Sequence, residues 1–181
     1  MGFWAEGAGQ FGSSERNMKT LLLMRHAKSD HANARLTDHD RPLNVRGECS
    51  APRMGQLLRE QELVPDVILS STARRAQDTA RLVADSLGYT REIDRRRALY
   101  LTPPHEYVEV LRTLSDDWAT ALVVGHNPTL EALVSLWSDD DAEFPTAAVA
   151  HFEADIDHWF DLRLDAPFVR KNLWTPRELE A

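Results

Sequence analysis

Two histidines and a matching set of arginines are the groups in this 181-residue chain that could do chemistry together. Arg25 and His26 stand directly behind the apolar run Leu21 to Met24, in "LLLMRHAKS". Arg74 and Arg75 follow a second such run in "DVILSSTARRAQDTA", and His126 closes a third in "TALVVGH". A neutral histidine is the side chain that can attack phosphorus near neutral pH and then carry the phosphoryl group. Arginine supplies a planar fork that makes two parallel charge-assisted hydrogen bonds to phosphate oxygens. Two histidines and two arginines converging on one place would therefore hold a dianionic phosphoryl group. Each piece alone has a plainer reading: an exposed Arg-His pair, a helix with two surface arginines, a satisfied histidine in a turn. All three in order, each behind an apolar strand, argue for a site.

Strands and helices must bring these residues together. Short apolar runs alternate with longer amphipathic segments, the pattern of an α/β fold with a mostly parallel sheet. Residues 19–24 ("KTLLLM"), 66–71 ("DVILSS") and 120–126 ("TALVVGH") read as strands, and "REI" at 91–93 as a short one. Asn44 is a cap for a helix whose buried stripe includes Met54, Leu57 and Leu58. A helix over 73–87 ends at Gly88. Further helices are predicted over 105–114, with Val108, Leu111 and Leu114 on one face, and over 128–137, with Pro128 in its first turn. Residues 146–155 and 158–166 read as a pair of edge strands. Open parallel sheets bind ligands at the carboxyl ends of their strands. Arg25, His26, Arg75 and His126 all follow such ends, so the fold would collect them at one edge.

Composition narrows the function classes. With 43% apolar and 28% charged residues the chain is globular rather than disordered. Its length suits one domain with a full core, expected over residues 18–181. Residues 1–17, rich in Gly and Ser and without period, read as a flexible tail, and Met18 is a candidate natural start. A net charge of −8 argues against nucleic acid or an anionic membrane as partner, since both are bound chiefly by basic surface. No apolar run approaches membrane-spanning length. The first residues lack the basic start and apolar stretch of a signal peptide, and Glu6 stands where myristoylation needs Ser or Thr. The cytoplasm is the expected location. The single cysteine, Cys49, allows no internal disulfide and reads as a plain helix position.

The three blocks resemble the histidine phosphatase superfamily, the phosphoglycerate-mutase-like group, and within it the small SixA-type phosphohistidine phosphatases. "LLLMRHAKS" is similar to the family's Arg-His signature. "SSTARRAQDTA" is similar to its second block, in the register that selects Arg75, with Ser71, Ala76 and Thr79 as companions and Arg74 turned to solvent. "LVVGHNPTLEAL" is similar to the third block and supplies His126. "HDRPLNVRG" and "FPTAAVAHFE" also resemble this subgroup. The resemblance implies a three-layer α/β/α fold and a covalent mechanism. His26 would attack the phosphoryl group in line and form a phosphohistidine that water hydrolyses. Arg25, Arg75 and His126 would hold the equatorial oxygens. It implies no metal and no other cofactor.

Many larger relatives carry an acid that protonates the leaving oxygen. In the corresponding stretch here, "REIDRRRALYLTPPHEYVEV", Asp94 and Glu106 are the nearest candidates, and each also reads as a plain surface carboxylate. An alkoxide leaving group gains about 10²–10⁴ in rate from such an acid. A phosphorylated imidazole needs little help, because solvent can protonate the ring first. The expected function is therefore a metal-independent phosphatase acting through phosphohistidine, with phosphohistidine on proteins as its substrate. A small-molecule phosphomonoesterase on the same site, with a small phosphorylated molecule as partner, is the alternative. A non-catalytic phosphate-recognition module is a third reading, and the presence of both histidines argues against it.

Overall fold

Four consecutive apolar residues leave a strand no face for water, and Leu21, Leu22, Leu23 and Met24 are all fully buried at the centre of the sheet. In the computed structural model the described residues are 18–138, 143–165 and 168–179. The expected tail at 1–17 lies outside them. The strand around Leu21 is β1 (Lys19–Arg25), followed by α1 (Val45–Glu60), β2 (Val67–Ser71), α2 (Arg74–Leu87) and β3 (Asp94–Arg96). Then come α3 (Pro104–Leu111), β4 (Thr120–Gly125), α4 (Thr129–Ser138), β5 (Val149–Ala154) and β6 (Phe168–Trp174).

One six-stranded sheet runs in the order β3-β2-β4-β1-β5-β6. The pairs β1–β4, β2–β4 and β2–β3 are parallel, and β5 joins antiparallel to both β1 and β6. Successive strand residues face opposite ways, so β1 serves two cores. Leu21 and Leu23 pack with Tyr107 and Leu111 of α3 and with Leu130, Leu133 and Val134 of α4. Leu22 and Met24 pack with Met54 and Leu58 of α1 and with Ala76, Ala80 and Val83 of α2. The result is a three-layer α/β/α fold, as the resemblance implies. Local signals set the helix ends: the Asn44 side chain accepts from the Gly47 N–H, and Gly88 stops α2 at φ 72°.

Three expectations are corrected. The short strand expected at 91–93 lies at Asp94–Arg96, because Ile93 packs against the α1/α2 core and the ladder to Leu69–Ser71 begins only at Asp94. The helix expected over 105–114 runs from Pro104 to Leu111 and unwinds before Leu114, which is buried all the same. Residues 158–165 form no strand, and residue 166 lies outside the described residues. They turn at Trp159–Asp161, where the Asp116 carboxylate accepts from the Trp159 N–H at 2.9 Å and pairs with His158 at 2.8 Å. Trp159 and Leu162 both fill the core, and a strand would have sent residues three apart to opposite faces. The edge strand is β6, and β5 lies inside the sheet.

At the end of β4 the layers meet closely. A Cβ on Gly125 would lie 2.2 Å from the hydroxyl of Tyr107, so only glycine fits there. That hydroxyl donates to the Leu99 carbonyl at 2.8 Å and accepts from the His126 N–H at 3.3 Å, all in the buried interior. Tyr107→Phe would leave both groups unpaired. Urea unfolding is expected to show a loss of about 2 kcal/mol for this variant; a loss below about 0.5 kcal/mol would mean that the hydroxyl does not carry these bonds.

Candidate active site

Adjacent strands β2, β4 and β1 end side by side, and the residues behind them are Ser71, His126 and His26. The rings of His26 and His126 lie with centroids 4.9 Å apart, both nearly inaccessible to solvent. Arg75, at the start of α2 and only 3% exposed, reaches between them. Its Nε donates to His26 Nε2 at 3.2 Å, and its Nη2 lies 3.4 Å from His126 Nδ1. Arg74 is on the outside of the same turn, exposed and 3.7 Å from Asp78.

These contacts settle both tautomers. The Ala27 carbonyl, 2.8 Å from His26 Nδ1, can only accept, so Nδ1 carries the proton and Nε2 is bare. Arg75 can only donate, so His126 Nδ1 is also bare, and His126 Nε2–H donates to Ser71 Oγ at 2.8 Å. Two unprotonated imidazole nitrogens thus face one guanidinium. Thr79 braces the floor: its Oγ1 accepts from the Ala27 N–H at 3.0 Å and donates to the Arg75 carbonyl at 2.6 Å.

Burial, the foremost cause, keeps both imidazoles neutral. Desolvation lowers His26 to about 3, the charges of Arg75, Arg25 and Arg41 adding to it against the bond to Ala27. Desolvation, the neighbouring His26 and Arg75 lower His126 to about 2. Arg25 stands slightly apart. Its Nη1 donates to the Phe144 carbonyl at 2.9 Å, and its charge acts on both histidines without a direct hydrogen bond to either.

Two further residues join the site. Asp38, in the loop before α1, places its Oδ2 3.0 Å from Arg75 Nη2, while its carbonyl accepts from Arg75 Nη1. Its Oδ2 also accepts from Tyr100 Oη at 2.8 Å, and its Oδ1 from Arg41 at 2.7 Å. Desolvation raises the Asp38 carboxyl, but Tyr100, Arg75 and Arg41 outweigh it and hold the group down to about 2. The Tyr100 ring meets His126 edge-on at 5.4 Å and forms a wall of the site. No local pattern marks Asp38 in the sequence, and Tyr100 lies in the stretch where the sequence offers Asp94 and Glu106 as the nearest acids. The two acids expected there are elsewhere: Asp94 is chelated by Arg96 at 2.7–2.9 Å, and Glu106 is partly exposed beside His105. Cys49 is exposed on α1. Among the described residues no three His, Cys, Asp or Glu side chains form a group that could hold a metal ion. No described helix is long and apolar enough to cross a membrane.

A single fold and three strand-end blocks define a class, and residues 21–99 match the family model of the histidine phosphatase superfamily (branch 1). A protein of Mycobacterium tuberculosis (strain H37Rv), itself uncharacterized, is 35% identical over 150 residues, which is 77% of this chain and 91% of that one. The chain belongs to the histidine phosphatase superfamily. Among solved structures, a protein from Nakamurella multipartitia described as a phosphohistidine phosphatase SixA is 30% identical, with a TM-score of 0.77 over 88% of this chain and 96% of that one. Another so described, from Agrobacterium tumefaciens, is 25% identical, with a TM-score of 0.73 over 87% and 98%. The chain is thus similar to SixA-type phosphatases within that class.

Two outcomes follow from this electrostatic arrangement. Both histidines titrate near 6.5 when unfolded and far lower when folded, so between those values the unfolded chain binds more protons. Stability is therefore expected to fall as pH drops below about 6.5, by up to about 1.4 kcal/mol per pH unit for each ring. Urea midpoints from pH 7 to 4 read this slope; His126→Gln should flatten it, and an unaltered slope would place the titration elsewhere. Asp38→Asn removes a negative charge beside Arg75 and is expected to tighten competitive inhibition by inorganic phosphate about tenfold. Weaker inhibition in the variant would mean that Asp38 chiefly positions the guanidinium.

Proposed function

We propose that this chain is a phosphatase that works through a phosphohistidine formed on His26 and removes phosphate from phosphohistidine in proteins. The observation that carries the reading is the bare, neutral Nε2 of His26, aimed at a buried guanidinium and fixed from behind by the Ala27 carbonyl. Such a nitrogen is a nucleophile without prior loss of a proton. The incoming phosphoryl dianion takes over the Arg75 fork from Asp38 and from His26 itself, which frees the lone pair. Arg25 and His126 complete the cradle, His126 donating once the dianion has raised its proton affinity.

In the first step Nε2 bonds to phosphorus and the bond to the leaving group breaks, that group keeping the electron pair. In the second, water bonds to phosphorus, the N–P bond breaks, and the imidazole recovers its lone pair while phosphate departs. Arg25, Arg75 and His126 neutralise the charge spread over the equatorial oxygens, so the reaction proceeds without a metal. Asp38 is ionised at neutral pH and is no proton donor in the free site. Asp94 and Glu106 do not contact the site. A leaving group must therefore depart with its own charge or already protonated, which favours phosphohistidine over alkyl phosphates. The names borne by the SixA-like structures support the same substrate, and the cytoplasm is the compartment we infer.

His26→Ala is expected to abolish turnover and the acid-labile phosphoenzyme, while its unfolding remains cooperative. A phosphoenzyme in this variant would move the nucleophile to another residue, His126 first. Across a series of aryl phosphates, rates should fall steeply as leaving-group pKa rises, with phosphohistidine peptides well above alkyl phosphates. A shallow series, with about a hundredfold loss in Asp94→Asn or Glu106→Gln, is the signature of a working general acid and of a small-molecule phosphomonoesterase instead.

A further inference from the structure

A second concentration of positive charge lies on the other side of Arg25. A cavity of about 260 Å³ is lined by Arg25, Lys28, Arg46 and Arg177, together with Ser50 and Thr146. No carboxylate is among its lining residues, in a chain whose net charge is −8. Glu131 is within electrostatic reach of Arg25 but does not line the cavity.

The clustering is built by the backbone and not by side-chain attraction. The Asn44 N–H donates to the Lys28 carbonyl at 3.0 Å. At Gly47 a Cβ would lie 2.2 Å from that same carbonyl oxygen, so the loop and the first turn of α1 touch main chain to main chain. Lys28 and Arg46 are thereby set close to each other despite their like charge. The turn bearing Thr146 is tied to the nucleophile's own strand end, where the Ala147 N–H is shared between the carbonyls of Arg25 at 3.1 Å and His26 at 3.2 Å. Arg25 Nε is buried and has no acceptor among the described residues. Fixed like charges and an orphaned donor both call for an anion. The N-terminal turn of α1 adds its positive dipole end.

We propose that this cavity binds a second anionic group of the substrate, beside the phosphoryl group that reaches His26. The inference rests on the reading of His26 as the nucleophile and sharpens the substrate class. The preferred substrates carry a carboxylate or a second phosphate near the transferred phosphoryl group; on a protein this is an acidic side chain flanking the phosphohistidine. Arg25 is common to both sites, so the two anions would bind on either side of one guanidinium.

The test compares phenyl phosphate with 3-carboxyphenyl phosphate, on the wild type and on the triple variant Lys28→Ala/Arg46→Ala/Arg177→Ala. None of these three side chains belongs to the catalytic cradle, and all are exposed. The variant is expected to lose about five- to tenfold in kcat/KM on the carboxylated ester, and to stay within about twofold on phenyl phosphate. Equal losses on both esters, or none on the carboxylated one, overturn the proposal. A parallel arm uses phosphohistidine peptides with flanking Asp or with flanking Ser; the wild type should favour the acidic one, and the variant should not. Peptide turnover without that preference counts against the cavity alone. If no peptide is hydrolysed while the ester ratio still shifts, the cavity stands and the phosphohistidine substrate falls.

Discussion

The Arg75 guanidinium is buried at the end of the sheet, and the rest of the site is arranged around it. Arg75 is 3% exposed, and a cation so placed must find acceptors or be lost from the fold. Those it finds are His26 Nε2, His126 Nδ1, and the carbonyl and carboxylate of Asp38. To accept, both rings must be neutral and must carry their protons on the far nitrogen. The Ala27 carbonyl and Ser71 Oγ receive those protons. One buried charge thereby sets two tautomers and the position of a loop, and adds to the burial that keeps both rings neutral.

The same constraint holds the site together. Every group around Arg75 is an acceptor, and so is a phosphoryl oxygen. On the proposed reading, a substrate dianion would exchange with Asp38, a partner of like charge whose side chain is half exposed. Asp38 is itself anchored by Tyr100 and Arg41, so it remains close when displaced. Exchange of one anion for another at a fixed cation needs little reorganisation of the strands below.

Those strands supply rigidity. β2, β4 and β1 are neighbours in the sheet, and every residue in them except Thr20, Arg25 and Thr120 is buried. Behind β4, the fit of Gly125 against Tyr107 leaves the chain no freedom before His126. Thr79 ties α2 to the Ala27 amide, so the helix that carries Arg75 is fixed to the strand end that carries His26.

By itself the sequence determined strands β1, β2, β4 and β5, helices α2 and α4 nearly to their ends, the start of α1, and the strand-end placement of Arg25, His26, Arg75 and His126. The reason is local. Apolar runs specify buried strands, Asn44 and Gly88 specify helix ends, and each chemical residue follows such a run within four positions. The interior placement of Arg75 and exterior placement of Arg74 were legible only through the spacing from Ser71, since both are arginines on one helical turn. Tertiary structure alone decided the rest. Asp38 and Tyr100 are 62 residues apart and meet only because the loop before α1 and the segment after β3 close over the same strand ends. Lys28, Arg46 and Arg177 carry no signal in their local sequence, and only the packing of α1 against β1 and of the C-terminal turn against α1 brings them to one cavity. The strand misplaced to 158–166 has the same cause: its apolar residues match a strand, but the Asp116 carboxylate, distant in sequence, holds them in a turn. Pattern encodes which residues are buried; which partners they meet there depends on chain segments that no local window contains.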